Sequence, residues 1–173
     1  LPGGAINNFL KTNFKNAANT SVVFHADKLL ALWEGGWPHW IGHENLETIQ
    51  RFSFEGALEN PFGAIDRYMN PELQFSAHPK IDPVTGKLYN FGTSFGFKNR
   101  LLIYGVGQEG RLESFRHITI DELSFVHDFV ITSGSKALVF CTPVRFEILS
   151  MLSGAKSPAS GMKGNPNAKI KIY

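Results

Sequence analysis

Three stretches of the chain alternate apolar and polar positions, turn, and continue as an apolar run. Val22-Val-Phe-His25 turns at Ala26-Asp27 into Lys28-Leu-Leu-Ala-Leu-Trp33. Phe75 to Ile81 turns over Asp82-Pro-Val-Thr-Gly86 into Lys87-Leu-Tyr-Asn-Phe91. Phe129-Val-Ile-Thr132 turns at Ser133-Gly-Ser135 into Lys136-Ala-Leu-Val-Phe140. Short runs of β-branched and aromatic residues joined by Gly, Pro, Asp and Ser predict β-hairpins. A second pattern recurs between them. Leu46-Glu-Thr-Ile-Gln-Arg-Phe-Ser-Phe54 is similar to Leu112-Glu-Ser-Phe-Arg-His-Ile-Thr-Ile120, and each reads as the last strand of a repeat unit before the chain returns inward. Phe62 to Leu73 reads as an insertion.

The repeat carries chemistry. Lys87 follows His78 by nine positions, and Lys136 follows His127 by nine. The turn lysines are spaced 59 and 49 residues apart, near or somewhat beyond the roughly 40–50 residues of common propeller blades. A β-propeller points equivalent positions of successive blades at one axis, so His78 and His127 are candidate ligands of a shared metal. Neutral imidazoles must converge on one point for this, and ligands so far apart in sequence converge only through the fold. An antiparallel sandwich would explain the strands but not the fixed offset. In the first repeat the matching position is Asn19. His25, His39, His43 and His117 are out of register and read as ordinary.

Glu34 ends the apolar run Leu29 to Trp33 and precedes Gly35-Gly36. It is either a solvated strand end or a carboxylate orienting a ligand imidazole through its other nitrogen. Asp128 is a weaker candidate for that role, because neighbouring strand residues point to opposite faces. Cys141, in an apolar strand, reads as packing. Gly105-Val-Gly107 precedes a hairpin turn and is no phosphate loop.

Composition narrows the classes. The chain has 173 residues, 43% of them hydrophobic, which suffices for a core. A net charge of +2 implies no nucleic-acid partner. A single cysteine excludes an internal disulfide. No apolar stretch approaches the roughly 20 residues of a membrane span. Leu1-Pro-Gly-Gly shows no secretory signal, so the expected location is cytoplasmic. Without an initiator Met, and with Lys169-Ile-Lys-Ile-Tyr173 alternating like a strand that stops without a turn, the chain reads as a fragment. Residues 1–148 are expected to form a partial propeller, and residues 149–173 a loop or lid.

These motifs resemble the carotenoid cleavage oxygenases. The matching stretches are Ala18-Asn-Thr-Ser-Val22, Lys28-Leu-Leu-Ala-Leu-Trp-Glu-Gly-Gly36, Leu46-Glu-Thr48, Ala77-His-Pro-Lys-Ile-Asp-Pro-Val-Thr-Gly-Lys-Leu88 and His127-Asp-Phe-Val-Ile-Thr132. The resemblance implies an all-β chain, about three antiparallel blades of a seven-bladed propeller with Fe(II) on its axis. It implies His78 and His127 as the first two of four histidine ligands, Glu34 as the carboxylate supporting His127, and the other two ligands beyond Tyr173. The implied activity is cleavage of a C=C bond in a carotenoid or apocarotenoid with O2. Stilbene-cleaving members often carry a lysine where this chain has Trp33, which favours the polyene. A stilbene-cleaving member, an isomerase branch and a non-catalytic binding propeller are the alternatives. The resemblance also implies peripheral membrane contact through an apolar patch. Phe146-Glu-Ile-Leu-Ser-Met-Leu152, followed by Lys156 and Lys163, is the segment expected to make it, with Leu149, Met151 and Leu152 exposed.

Overall fold

The computed structural model describes residues 15–132, 136–153, 155–157 and 160–173. The turn expected at Ser133–Ser135 and the N-terminal residues 1–14 lie outside the described residues.

The first repeat folds as a four-stranded antiparallel meander of β1 (Ser21–His25), β2 (Lys28–Leu32), β3 (His39–Ile41) and β4 (Thr48–Arg51). Its first hairpin turns on two residues, Ala26 and Asp27, with φ of 50° and 56°. Positive φ at both central positions is the turn whose twist matches paired strands. The second repeat is a larger meander of β5 (Lys80–Ile81), β6 (Leu88–Ser94), β7 (Asn99–Val106) and β8 (Leu112–Ile120). The third contains β9 (Phe129–Thr132) and β10 (Lys136–Cys141), with β13 (Lys171–Ile172) on the other side of β10. The two similar segments at 46–54 and 112–120 contain the fourth strands of their sheets, as expected. Each repeated lysine stands at the start of a second strand, Lys28 and Lys136 as its first residue and Lys87 just before it.

Side-chain alternation packs the sheets into a stack. On β7, Leu102, Tyr104 and Val106 join a core with Leu30, Leu32, Phe54 and Phe75 of the first repeat and its connection. Leu101, and Ile103 at its margin, face the opposite way into a core with Phe129, Val139 and Cys141 of the third. Successive strand residues point to opposite faces, so β7 is buried on both sides. That is why β7 reads as a continuous apolar run rather than an alternating one. Cys141 is buried packing, as expected.

The expected insertion contains α1 (Ala64–Met69). It is tied to the middle sheet by a buried ion pair, with Arg100 Nη1 2.6 Å from Asp66 Oδ2. The Arg100 guanidinium also lies 3.9 Å from the centroid of the Phe62 ring. Within 149–173, where the sequence suggests a loop or lid, the chain is partly ordered into short elements. The helix α2 (Ile148–Leu152) is followed by β12 (Met162–Gly164), which pairs with β11 (Val144–Phe146), while β13 pairs with β10. These pairings span up to some thirty residues, beyond the reach of local pattern.

His39, on β3, sits opposite Arg51 in the ladder, and its Nδ1 is buried without a hydrogen-bond partner. Burial, then the Arg51 charge, holds its pKa below the ordinary value of 6.5. As pH falls through 6.5 the unfolded chain binds this proton before the folded one does. The stability present above that pH is therefore progressively lost on acidification. His39→Gln is expected to lose less stability than the parent between pH 7 and pH 5, read by urea unfolding of the intact protein at both pH values.

Candidate metal centre

Glu34, His78 and His127 come from three different repeats. Glu34 lies just beyond β2, in the connection to β3. His78 stands two residues before β5, and His127 two residues before β9. Asn19 holds the same place before β1 and is exposed. The equivalence seen as a histidine-to-lysine offset is thus an equivalence of position at the mouths of the first strands.

The two imidazoles meet edge to face, with ring centroids 4.4 Å apart and planes at 65°. Glu34 Oε1 is 3.2 Å from His78 Nε2 and 3.2 Å from His127 Nδ1. The carboxylate is shared by both rings, where the resemblance implied His127 alone. These separations are close, yet Glu34 Oε1 and His78 Nε2 are buried atoms with no hydrogen-bond partner. Buried polar atoms without partners are costly. One donor atom from each residue lies within 4.8 Å of the others. Two imidazoles and a carboxylate thus converge, and imidazole nitrogens suit a transition-metal cation. Burial raises the pKa of Glu34 above its ordinary 4.5, opposed by the two imidazoles and the Ala77 N–H, and reinforced by Asp128.

The segment carrying His78 is pinned on every side. The Ala77 carbonyl accepts from Ser21 Oγ, and the His78 N–H donates to Ser76 Oγ at 3.2 Å. Ser76 Oγ donates to Asn90 Oδ1 at 2.6 Å, and Asn90 Nδ2 donates to the Ser76 carbonyl at 2.8 Å. Tyr104 Oη donates to the Gln74 carbonyl at 2.9 Å. Asn90 and Ser76 were not singled out in the sequence; no local pattern marks a buried amide as the brace of a neighbouring strand. His127 is more exposed, and the Phe125 ring stacks with it at 6.0 Å.

An apolar cavity of about 370 Å³ opens beside Glu34, lined among others by Trp33, Phe95, Phe125, Phe146, Met151 and Met162. Met151, expected on the surface, is half-buried and contributes to this lining, because α2 turns it inward. Leu149 faces out at 81% exposure. The side chain of Leu152 lies outside the described residues. Lys156 and Lys163, the cations expected to flank the patch, both pair with Glu147, with Lys163 Nζ 2.6 Å from its Oε1. No helix among the described residues is long and apolar enough to cross a membrane.

The family model described as retinal pigment epithelial membrane protein matches residues 2–173. The chain belongs to that family. Among curated relatives, an apocarotenoid-15,15'-oxygenase of Synechocystis is 32% identical over 98% of this chain and 34% of its own length. A carotenoid 9,10(9',10')-cleavage dioxygenase of Arabidopsis thaliana is 36% identical over 80% of the chain and 24% of its own length. A resveratrol cleavage oxygenase of Aspergillus fumigatus is 33% identical over 69% of the chain and 22% of its own length. A solved structure of cobalt-substituted Synechocystis apocarotenoid oxygenase superposes with a TM-score of 0.78 at 28% identity, covering 99% of this chain and 34% of that one. The chain thus spans about a third of the length of the relatives it matches most fully. Its fold is the expected one, an all-β partial seven-bladed propeller of about three antiparallel blades.

Gly92 lets the His78 segment lie against β6. A Cβ there would stand 2.0 Å from the Gln74 carbonyl oxygen. Gly92→Ala must displace that segment, and overpacking of this kind typically costs about 1–3 kcal/mol. The expected outcome is a lower denaturation midpoint with an unchanged slope.

Proposed function

We propose that the intact protein is a non-haem iron(II) dioxygenase that cleaves a C=C bond of a carotenoid or apocarotenoid with O2. The observation that carries this reading is the convergence of His78, His127 and Glu34, from three blades, beside an apolar cavity. His78 and His127 hold the metal through unprotonated ring nitrogens. Glu34 accepts from an imidazole N–H and so fixes which nitrogen faces the metal. The remaining ligands come from other parts of the intact protein. Bound iron supplies a redox-active centre with positions open to dioxygen. The reaction balances without a further reductant: the C=C bond breaks, each carbon gains one oxygen atom, and O2 is consumed in forming two carbonyls. The chain's own part is to hold the polyene beside the centre and keep water away from it. Trp33 and the aromatic lining suit a long apolar chain. Trp33 also replaces the lysine often found in stilbene-cleaving members, which supports a polyene over a hydroxystilbene.

In the intact protein, His78→Ala and His127→Ala are each expected to abolish iron occupancy, measured by elemental analysis, together with cleavage of an apocarotenoid. Glu34→Gln is expected to weaken iron affinity or turnover by about 10–100-fold while the thermal transition is retained. Full iron occupancy and turnover in both histidine variants would overturn the reading.

The intact protein also makes reversible contact with membranes through α2. The exposed Leu149 supports this, and Lys163, itself exposed, stands near it in sequence. Met151 takes no part, since it faces the cavity. Leu149→Ser is expected to reduce co-sedimentation with anionic liposomes and to leave cleavage of detergent-solubilised substrate intact. Equal binding by parent and variant would remove α2 from the contact.

A further inference from the structure

We propose that the ion pair between Lys80 and Asp128 is a strut between blades that sets the separation of the two imidazoles, so that both are positioning residues of the metal centre. The inference rests on the reading that His78 and His127 hold the metal. β5 and β9, the strands that follow the two histidines, belong to different sheets and share no ladder. Backbone pairing between them therefore cannot fix their spacing, and side chains must.

Glu34 bridges the two segments, at 3.2 Å from each ring. A second link joins the same segments, with Lys80 Nζ 2.7 Å from Asp128 Oδ1. Lys80 is two residues beyond His78 and Asp128 one residue beyond His127, so the pair ties together the two segments that carry the imidazoles. Both ends of the strut are anchored. Asp128 Oδ1 also accepts the Phe129 N–H at 2.8 Å, which fixes its direction at the start of β9. The Lys80 ammonium lies 5.9 Å from the centroid of the Phe129 ring, a residue only 1% exposed. The cation is thus seated against the core edge of the third blade as well as on its carboxylate. His127, whose side chain is 57% exposed, has few burial contacts of its own to fix its place. That leaves its position sensitive to such a strut.

The test uses the intact protein loaded with Co(II). Affinity is read by competition with a chromophoric chelator, and ligand geometry by the visible d–d bands. Asp128→Asn keeps an oxygen for the Phe129 N–H and removes the charge; Lys80→Met keeps the apolar stem. Each is expected to weaken Co(II) binding by about three- to tenfold, between the worth of a part-exposed ion pair and that of a lost ligand-orienting partner. Each is also expected to shift the d–d bands. The double variant Lys80→Met with Asp128→Asn is expected to weaken binding and shift the bands no further than either single variant, because the two side chains act as one strut. Single variants with parental affinity and bands would overturn the strut. So would effects of the two single variants that add in the double variant, since each side chain would then act separately. A parent protein that binds no Co(II) would instead overturn the assignment of His78 and His127.

Discussion

The structure depends on one strand, β7, that is buried on both faces. β7 sends Leu102, Tyr104 and Val106 toward the first blade and Leu101 and Ile103 toward the third. A strand with no solvent face can act as the shared wall of two cores, and the neighbouring sheets then stack on it. The fully buried Tyr104 bridges packing and hydrogen bonding. Its ring lies between Phe75 and Phe115, and its hydroxyl holds the Gln74 carbonyl. Burial raises its pKa well above 10.0, so it stays protonated and keeps donating.

From that wall the chain reaches the candidate metal centre by a short pinned segment. Residues 74 to 78 lie flat on β6 because Gly92 has no side chain, and Asn90 satisfies the polar groups that would otherwise be buried without partners. Ser76, Asn90 and the Gln74 carbonyl each have a specific partner, and such networks favour one arrangement over its neighbours. The contrast with Glu34 Oε1 and His78 Nε2 is informative. Beside this paired network, those two atoms lie buried and adjacent without a hydrogen-bond partner.

The outer faces of the stack behave differently. Val22 and Phe24 on β1, and Val130, Leu138 and Phe140 on β9 and β10, are exposed apolar residues at opposite ends. The same alternation that buries β7 twice leaves these strands half-covered here.

Much of this could be read from the residues. Hairpin turns, the repeated lysine at the head of each second strand, and the histidine nine positions earlier are all local or periodic signals. They follow from strand geometry, which repeats every two residues, and from blade geometry, which repeats at each return to the axis. Glu34 was visible as a charge ending an apolar run, but its role stood between a solvated end and a ligand-orienting group. Only the tertiary structure set it within reach of both imidazoles, because that depends on how the first blade leans on the second and third. The Asn90 brace, the Lys80–Asp128 pair, the inward turn of Met151 and the pairing of β12 and β13 were likewise decided by tertiary structure. Each joins residues through a contact that no spacing rule records, since which side chains meet between sheets is fixed by packing rather than by position along a strand.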